Sequence, residues 1–338
     1  MYFAQEEDGE YYWNDVNKPL LDGLNNALPD LSNTLVTFSR DESKYILYSE
    51  ADNTAPMYLY GDREKGTLDV IFRQYAQLSN ISLSEHKKVS ITTRDDTVIE
   101  GYLTLPTKGE APYPTVIHPH GGPGARDYSG FDYVTSYLTS KGYAVMRPNF
   151  RGSSGYGFSF ARSQMKAWGL QMQDDITDTT KWLIKESIAD SSKLCIVGAS
   201  YGGYAAMMAT VKTPDLFTCA VTFAGVSNLK RMVIRSRGFT NNEFVKNQIG
   251  DDYDDLEARS PYYHIEKIRT PMLIMHGEED RVVHIEQSRM MAEELEDEHK
   301  KFRYVELENG DHYLSIQRNR YRFFKELDTF LEMYLGAP

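Results

Sequence analysis

The segment Lys193–Ala206, Lys-Leu-Cys-Ile-Val-Gly-Ala-Ser-Tyr-Gly-Gly-Tyr-Ala-Ala, decides the fold. It joins an apolar, β-branched strand to a helix of small residues through a Gly-x-Ser-x-Gly turn centred on Ser200. The residues two before and two after this serine must be small, because larger side chains would collide across so sharp a turn. The turn exposes the serine hydroxyl and places a helix N-terminus behind it. We therefore expect Ser200 to be a nucleophile.

From about Lys87 onward, apolar strand candidates alternate with amphipathic helix candidates. This alternation is typical of a mostly parallel sheet with helices on both faces. Together with the serine turn, it predicts an α/β-hydrolase fold with an eight-stranded sheet. The strand candidates are Val89–Thr92, Val98–Leu105, Pro114–Ile117, Tyr143–Arg147, Lys193–Val197, Cys219–Phe223, Pro271–Met275 and Phe302–Glu306. The helix candidates are Asp174–Glu186, Gly203–Thr213, Ile285–Glu296 and Tyr321–Tyr334. The polar stretch Arg237–Asp252 is expected to be irregular.

The chain before about residue 75 has the pattern of short strands separated by turn-rich pieces. The candidates are Leu35–Phe38, Tyr45–Ser49, Met57–Tyr60 and Leu68–Phe72. Four consecutive strands form a meander that resembles one propeller blade, yet a propeller needs four to eight blades and no second copy of the period occurs. We expect a β-rich segment over residues 1–80 and an α/β catalytic domain over residues 81–338.

A nucleophilic serine needs a base, and the chain order in this fold is serine, acid, histidine. His312 lies in Asn309–Tyr313, a loop just after the last strand candidate. Side chains there project over the carboxyl edge of the sheet, where catalytic groups gather in α/β proteins. We therefore expect His312 to be the base, and we assign structural roles to the downstream histidines His264, His284 and His299.

The acid is expected after the preceding strand, where three carboxylates compete within His276–Val283. Asp280 is the prediction, because the loop doubles back past a glycine before it presents a short acid to His312. Glu278 and Glu279 are expected to face solvent. Asp311 adjoins the histidine in sequence, and neighbouring side chains diverge too far for the Nδ1 hydrogen bond that sets the tautomer.

An upstream loop, His118–Gly124, follows the strand candidate that ends at Ile117. Its paired glycines allow the backbone to approach a substrate closely. A free N–H of this loop can join that of Tyr201 in an oxyanion hole, a contribution of about 3–4 kcal/mol per donor. Metal binding by His118 and His120 is the poorer alternative, because no cysteine or carboxylate cluster accompanies them. We expect neither a metal nor another cofactor.

Composition narrows the class of protein further. The net charge is −12, with 37 basic and 49 acidic residues and no basic run, which argues against a nucleic-acid partner. No apolar run approaches the roughly 20 residues needed to span a bilayer, and no signal peptide precedes the first strands, so we expect no membrane partner and a cytoplasmic location. Cys195 and Cys219 lie in apolar strand candidates, and we expect them to be free core thiols.

Several further motifs follow one another in a fixed order between Lys87 and the C-terminus. They are Gly101–Pro106, His120–Pro123, Asn149–Gly157, Gly198–Gly203, Ser260–Pro261, His276–Asp280 and Asp311–His312. On these motifs the chain resembles the catalytic domain of the prolyl oligopeptidase family of serine peptidases, in particular its acylaminoacyl-peptidase-like and dipeptidyl-peptidase-like bacterial members.

The resemblance implies a triad of Ser200, Asp280 and His312 and an oxyanion hole formed by the backbone of Tyr201 and Gly122. It also implies that the Arg151 loop braces the site from beneath without acting in catalysis. Family members carry an N-terminal propeller that screens substrates, of which this chain has about one blade. The propeller residues that would recognise a free amino group are therefore missing, which leaves exopeptidase or endopeptidase action open.

The sequence thus predicts a hydrolase that cleaves short peptides through an acyl-enzyme. A carboxylesterase acting on small acyl esters is the alternative, since both reactions use the same groups, and a non-catalytic scaffold that kept the fold is a third. The substrate pocket is not defined, because its candidate lining residues, Phe150, Tyr201 and Val226, fit the core equally well. The oligomeric state, a homo-oligomer included, is also open.

Overall fold

The computed structural model describes residues 3–6, 9–12 and 17–336 and divides the chain into two compact units. The first comprises the described residues up to Lys87 together with 104–107 and 128–140, and the second comprises 88–103, 108–127 and 141–336.

The first unit contains two small antiparallel sheets. Its elements are β1 (Phe3–Glu6), β2 (Gly9–Tyr12), α1 (Asn17–Ala27), β3 (Ser32–Phe38), β4 (Lys44–Ala51), β5 (Thr54–Asp62), β6 (Thr67–Arg73), a 3₁₀ turn (Ala76–Leu78) and α2 (Tyr133–Ser140). Strands β3 to β6 pair with their sequence neighbours in one four-stranded sheet. All four predicted strands lie within these bounds, which confirms the predicted β-rich segment.

Alternation along the strands explains the core of this sheet. In β4, Tyr45, Leu47 and Ser49 are buried and the two residues between them are partly exposed, as expected of a sheet with one packed face. Leu21 and Leu24, three positions apart on α1, cover that face. A small apolar core results.

The second unit contains the predicted eight-stranded sheet, apart from His86, Lys87 and Thr104 at the strand ends, which belong to the first unit. Its strands are β7 (His86–Thr92), β8 (Val98–Thr104), β9 (Tyr113–Ile117), β10 (Ala144–Asn149), β11 (Ala189–Ala199), β12 (Cys219–Phe223), β13 (Met272–Gly277) and β14 (Phe302–Leu307). Their order across the sheet is β14-β13-β12-β11-β9-β10-β8-β7, and the strands from β14 to β10 run parallel. The α/β-hydrolase fold is therefore confirmed.

Helices connect these strands. They are α3 (Phe158–Arg162), α4 (Gln171–Lys185), α5 (Tyr201–Lys212), α6 (Leu229–Ser236), α7 (Asn242–Ile249), α8 (Tyr253–Ala258), a 3₁₀ segment (Pro261–Lys267), α9 (Glu286–Asp297) and α10 (Gln317–Leu335). The four predicted helices correspond to α4, α5, α9 and α10. None of the described helices has the length and apolar composition required to cross a bilayer.

The prediction that Arg237–Asp252 is irregular was wrong, because α7 occupies the middle of this stretch. Val245 and Ile249 are four residues apart, which places both on one helical face, and both are buried. The side-chain amide of Asn242 also donates to Ser236 Oγ at 2.7 Å. Two apolar anchors are enough to hold a short helix that is polar elsewhere.

The prediction of free thiols was also wrong, because a disulfide bond joins Cys195 to Cys219. Cys195 on β11 lies directly opposite Cys219 on β12 in the parallel register. Their Cα atoms are 4.7 Å apart, within the range that a disulfide spans. The register of two neighbouring strands therefore decides the pairing.

The junction of β11 and α5 lies in the middle of the second unit. Leu194 to Val197 are buried along β11, and α5 is buried from Tyr201 to Val211. A helix that is buried on all sides needs small or apolar residues throughout, and α5 consists almost entirely of them. The turn between these two elements is therefore held by packing on both sides.

Candidate active site

The serine turn depends on its two flanking glycines. A Cβ atom on Gly198 would lie 2.1 Å from the carbonyl oxygen of Gly202, and a Cβ atom on Gly202 would lie 2.2 Å from that of Pro119. Both distances are shorter than any non-bonded contact between these atoms. The strand, the turn and the loop that contains Pro119 can pack this closely only with glycine at both positions.

Ser200 has a backbone conformation that residues other than glycine rarely adopt, with φ 56° and ψ −121°. Its N–H donates to Phe223 O at 2.9 Å, and its carbonyl accepts from Tyr204 N at 3.0 Å. Such a conformation costs on the order of 1–3 kcal/mol and persists where the surrounding structure holds it. Here the backbone contacts fix the direction of the Ser200 side chain.

The predicted acid and base are hydrogen-bonded to each other. His312 Nδ1 lies 2.6 Å from Asp280 Oδ2. The side chain of Asp280 is fully buried, and that of His312 is one-tenth exposed. Asp280 follows β13 and His312 follows β14, so two neighbouring parallel strands deliver the pair to the same edge of the sheet.

The Asp280 carboxylate is held by donors from several directions. Its Oδ1 accepts from the backbone N–H groups of Val282 and Val283 at 2.8 and 2.9 Å. Burial raises its pKa, but hydrogen bonds from His276 and His312 outweigh that effect and place the pKa well below its ordinary value. Asp280 is therefore a carboxylate at neutral pH, and it can only accept.

These partners settle the proton positions on His312. Because an ionised carboxylate accepts and never donates, the hydrogen of the 2.6 Å bond belongs to His312 Nδ1. In the neutral ring, Nε2 then carries the lone pair. That nitrogen is the one a base needs for accepting a proton from a hydroxyl group.

His276 is a site residue to which the sequence analysis gave no role. Its side chain is fully buried, and its Nε2 lies 2.8 Å from Val283 O and 3.3 Å from Asp280 Oδ2. A carbonyl oxygen only accepts, so Nε2 carries a proton that points between the two oxygens. Nδ1 lies 2.7 Å from Ser288 Oγ. Its place on a fully buried strand, four residues before Asp280, was the available signal.

The competing acids lie elsewhere. Glu278 and Glu279 are exposed, as expected. Asp311 caps its own loop, because its Oδ1 accepts from Tyr313 N at 3.1 Å and from Ser315 N at 3.0 Å. Of the four carboxylates considered for the acid, Asp280 is the one that contacts His312.

The upstream glycine loop lies against the serine turn. A Cβ atom on Gly121 would be 3.5 Å from both Ala199 O and Ser200 Cβ, which is ordinary van der Waals contact. Gly122, the predicted oxyanion donor, follows with φ 120°. The other predicted donor is the N–H of Tyr201, which opens α5 and so lacks a partner within its own helix.

His118 and His120 were considered as metal ligands, and both are engaged in hydrogen bonds. His118 Nδ1 lies 2.6 Å from Val197 O. His120 Nδ1 lies 2.8 Å from Gly121 O, and Nε2 lies 2.8 Å from Ser153 Oγ. Burial lowers the pKa of His120, and the Ser153 hydroxyl beside its Nε2 donates to Phe150 O at 2.7 Å. These contacts fix the glycine loop in place.

Ser200 and His312 are not hydrogen-bonded to each other. The Ser200 hydroxyl makes no hydrogen bond with any residue that the structure describes. Ser200 follows the end of β11, which lies two strands away from β13 in the sheet. It is therefore at the same edge of the sheet as Asp280 and His312. Catalytic hydrogen bonds are often long without substrate and shorten when it binds.

The Arg151 loop is anchored to α4. The backbone N–H of Arg151 donates to Asp175 Oδ2 at 2.8 Å, and its guanidinium donates to Asp175 Oδ1 at 2.6 Å. The same guanidinium also pairs with Asp95. These contacts satisfy the cation without involving Ser200, Asp280 or His312.

All three pocket candidates are buried in the core, and one of them also lines a cavity. Phe150 is fully buried, stacks on His120 at 4.3 Å and lies 5.3 Å from the ring of Tyr201. Both aromatics therefore belong to the core. Val226 is also buried in the core, and in addition it lines a cavity of about 590 Å³, which extends along the α6–α7 connection and the loop that contains Asp280. The cavity thus borders the acid of the predicted triad.

Comparison with known proteins identifies the family. Residues 129–338, more than half of the chain, match the model of the prolyl oligopeptidase family. The chain belongs to the prolyl oligopeptidase family. It is 32% identical over 312 residues to dipeptidyl aminopeptidase BIII of Pseudoxanthomonas mexicana, a match that covers 88% of this chain and 45% of that protein. The predicted family resemblance is confirmed.

Solved structures agree with this assignment. A puromycin-hydrolysing peptidase of Mycobacterium tuberculosis superimposes with a TM-score of 0.80 at 25% identity, covering 91% of this chain and 48% of that one. An acylaminoacyl peptidase in complex with Z-Gly-Gly-Phe-chloromethyl ketone superimposes with a TM-score of 0.77 at 26% identity, covering 91% and 50%. The chain spans about half the length of these relatives.

Proposed function

We propose that this chain is a serine peptidase that cleaves short peptides through an acyl-enzyme on Ser200, with His312 as base and Asp280 as the residue that orients it. The 2.6 Å hydrogen bond between His312 Nδ1 and Asp280 Oδ2 carries the proposal. It lies at the sheet edge where the strained serine turn opens α5. Membership of a peptidase family supports the choice of substrate.

The reaction follows the chemistry of these groups. His312 Nε2 takes the proton of Ser200 Oγ as the oxygen attacks the substrate carbonyl carbon. The carbonyl oxygen becomes negative against the N–H groups of Tyr201 and Gly122, and the N-terminus of α5 favours that charge. Asp280 stabilises the imidazolium that forms. His312 then gives the proton to the leaving amine, and water repeats the sequence on the acyl-enzyme.

Three narrower statements belong to the same proposal. The segment 1–80 is a blade-like domain, and residues 81–338 form the catalytic domain. The protein acts in the cytoplasm. Its binding partner is the peptide substrate, and it binds neither nucleic acid nor a membrane. Localisation of the tagged full-length protein by fractionation tests the second statement, because recovery with the cell envelope would contradict it.

Labelling with a fluorophosphonate probe tests the nucleophile. We expect stoichiometric labelling on Ser200 in the wild-type chain and none in Ser200→Ala. Wild-type chain that does not react would favour the scaffold alternative. Equal hydrolysis of activated substrates by Ser200→Ala and wild type would exclude Ser200 as the nucleophile.

The choice between peptidase and esterase needs a second assay. Matched peptide 4-nitroanilides and short-chain 4-nitrophenyl esters report amide and ester cleavage by the same enzyme. We expect measurable turnover of both, because an ester is the easier substrate for the same groups. Ester cleavage with no detectable amide cleavage would assign the chain as a carboxylesterase.

A further inference from the structure

The cavity beside Asp280 combines apolar walls with two arginines. Val226, Met232 and Val283 contribute apolar surface. Arg235, at the end of α6, and Arg281, directly after Asp280, line the same cavity, and both are exposed to solvent. An apolar site with a few charged groups is the usual form of a site that selects a ligand by charge.

The two carboxylates that line this cavity already have cationic or hydrogen-bonding partners. Glu286 accepts from the guanidinium of Arg231 at 2.5 Å. Asp280 accepts from His312 and from two backbone N–H groups. Neither carboxylate hydrogen-bonds to Arg235 or Arg281, although the nearby charge of Arg235 contributes, after Arg231, to the lowered pKa of Glu286.

Neither arginine of the cavity has such a partner. Within the part of the chain that the structure describes, no ion pair or side-chain hydrogen bond engages the guanidinium of Arg235 or Arg281. The positive charge of Arg235 acts on the cavity wall. The pKa of His284, which lines the cavity, is lowered first by burial and next by the charge of Arg235. The cavity therefore presents two guanidinium groups whose N–H donors are available to hydrogen-bond an anion.

We propose that this cavity binds a carboxylate of the substrate close to the scissile bond, through Arg235 and Arg281. A guanidinium presents paired N–H donors that match the two oxygens of a carboxylate, and such charge-assisted bonds are stronger than neutral ones. The apolar walls suit the carbon stem that carries the carboxylate. The inference rests on the proposed peptidase function, because it concerns the substrate of that site.

The carboxylate can belong to a side chain before the cleaved bond or to the C-terminus of the peptide beyond it. Two pairs of substrates distinguish these sources. One assay compares peptide 4-nitroanilides that have Glu or Gln directly before the cleaved bond and no other carboxylate. A second compares peptides that end, just beyond the cleaved bond, in a free carboxylate or in a carboxamide. We expect kcat/KM to be about tenfold higher for the acidic member of one pair, as for one charge-assisted hydrogen bond.

Variants assign this preference to the arginines. Arg235→Gln and Arg281→Gln should each reduce the ratio of acidic to neutral kcat/KM toward one, and Arg235→Glu should reverse it in favour of a Lys substrate. Arg269→Gln is the matched control, because it removes the same charge at a side chain that is 73% exposed and paired with Asp215. Fluorophosphonate labelling of each variant verifies that the site is folded. Added salt should also reduce the wild-type ratio, since exposed charges are screened.

Binding is measured separately from turnover in Ser200→Ala. Calorimetric titration of this variant with the same Glu and Gln peptides should show about a tenfold lower Kd for the acidic one. Equal kcat/KM and equal Kd in all pairs would overturn the inference while leaving the peptidase function intact. A preference that survives both Arg→Gln substitutions would overturn it as well. If the wild-type chain cleaves nothing, the proposed function fails, and the titration still decides the carboxylate site.

Discussion

The serine turn follows β11, and the loop of residues 278–285, here called the acid loop because it contains Asp280, follows β13. The two lie at the same edge of one sheet, two strands apart, yet they are held in different ways. The serine turn is fixed by close backbone packing around Gly198 and Gly202, and its side chain has no hydrogen bond to the described chain. The acid loop is fixed by hydrogen bonds that converge on the Asp280 carboxylate. One part of the site is therefore sensitive to volume, and the other is sensitive to charge.

The largest expected effect on activity comes from removing the negative charge of Asp280 while keeping the shape of its side chain. Asp280→Asn should lower kcat by about 10⁴-fold, because an amide in this place stabilises the wrong tautomer of His312 and no imidazolium. Steady-state kinetics measure the loss. The matched control is Glu278→Gln, a change of the same kind at an exposed residue two positions earlier. Equal losses in both variants would contradict the assignment of the acid.

The serine turn should respond to a single methyl group instead. In Gly202→Ala the new Cβ would lie 2.2 Å from Pro119 O, so the turn and the glycine loop must separate. We expect about a 100-fold lower kcat/KM, as for a small misplacement of reacting groups, together with a lower Tm. Gly23→Ala is the control, because its Cβ would contact nothing within 4 Å. Unchanged kinetics in Gly202→Ala would show that packing does not set the turn.

A smaller effect should come from His276, which lies on β13 beside the Asp280 carboxylate. His276→Asn removes the ring nitrogen Nε2, which lies 3.3 Å from Asp280 Oδ2. We expect kcat to fall about tenfold, the size of one lost hydrogen bond to a charged group, with KM unchanged. His299→Asn is the control, because this exposed residue has a positive φ of 53°, which asparagine tolerates. A change confined to KM would argue against a positioning role for His276.

The smallest effect concerns stability at low pH. The pKa of Asp280 is lowered in the folded chain, so this carboxylate stabilises the fold fully above its ordinary value of 3.8 and loses that contribution as the pH falls further. Between about pH 4 and pH 2, the free energy of unfolding should therefore fall more steeply in wild type than in Asp280→Asn. Urea titrations across that range measure both slopes. Parallel slopes would mean that the folded environment does not favour the charged form.

The two kinds of support also explain what the sequence could predict. The serine turn was visible because its glycines and its strand are adjacent along the chain. Asp280 and His312 were predicted as a pair from chain order and from the rule that parallel strands deliver their loops to one edge, and the structure shows them hydrogen-bonded to each other. Short-range patterns and topology were sufficient to predict that these two residues meet.

Other features depended on contacts between segments that are distant in sequence. The Cys195–Cys219 pairing follows from the register of two strands, which no local pattern specifies. The cavity takes its lining from three separate stretches, so no single periodicity marks it. The helix α7 was missed because only Val245 and Ile249 anchor a polar stretch. The disulfide error concerned how two strands meet, and the α7 error concerned a polar stretch that is helical because tertiary packing covers its two apolar residues.

The disulfide between Cys195 and Cys219 has a consequence for peptide mapping. Trypsin cuts after Lys193, Lys212 and Lys230, so Ser200 and Cys195 fall in the fragment 194–212 and Cys219 falls in the fragment 213–230. A probe attached to Ser200 should then elute with both fragments joined when no reductant is added. After reduction the label should travel with 194–212 alone. One digest, run twice, would report both the modified serine and the covalent link beside it.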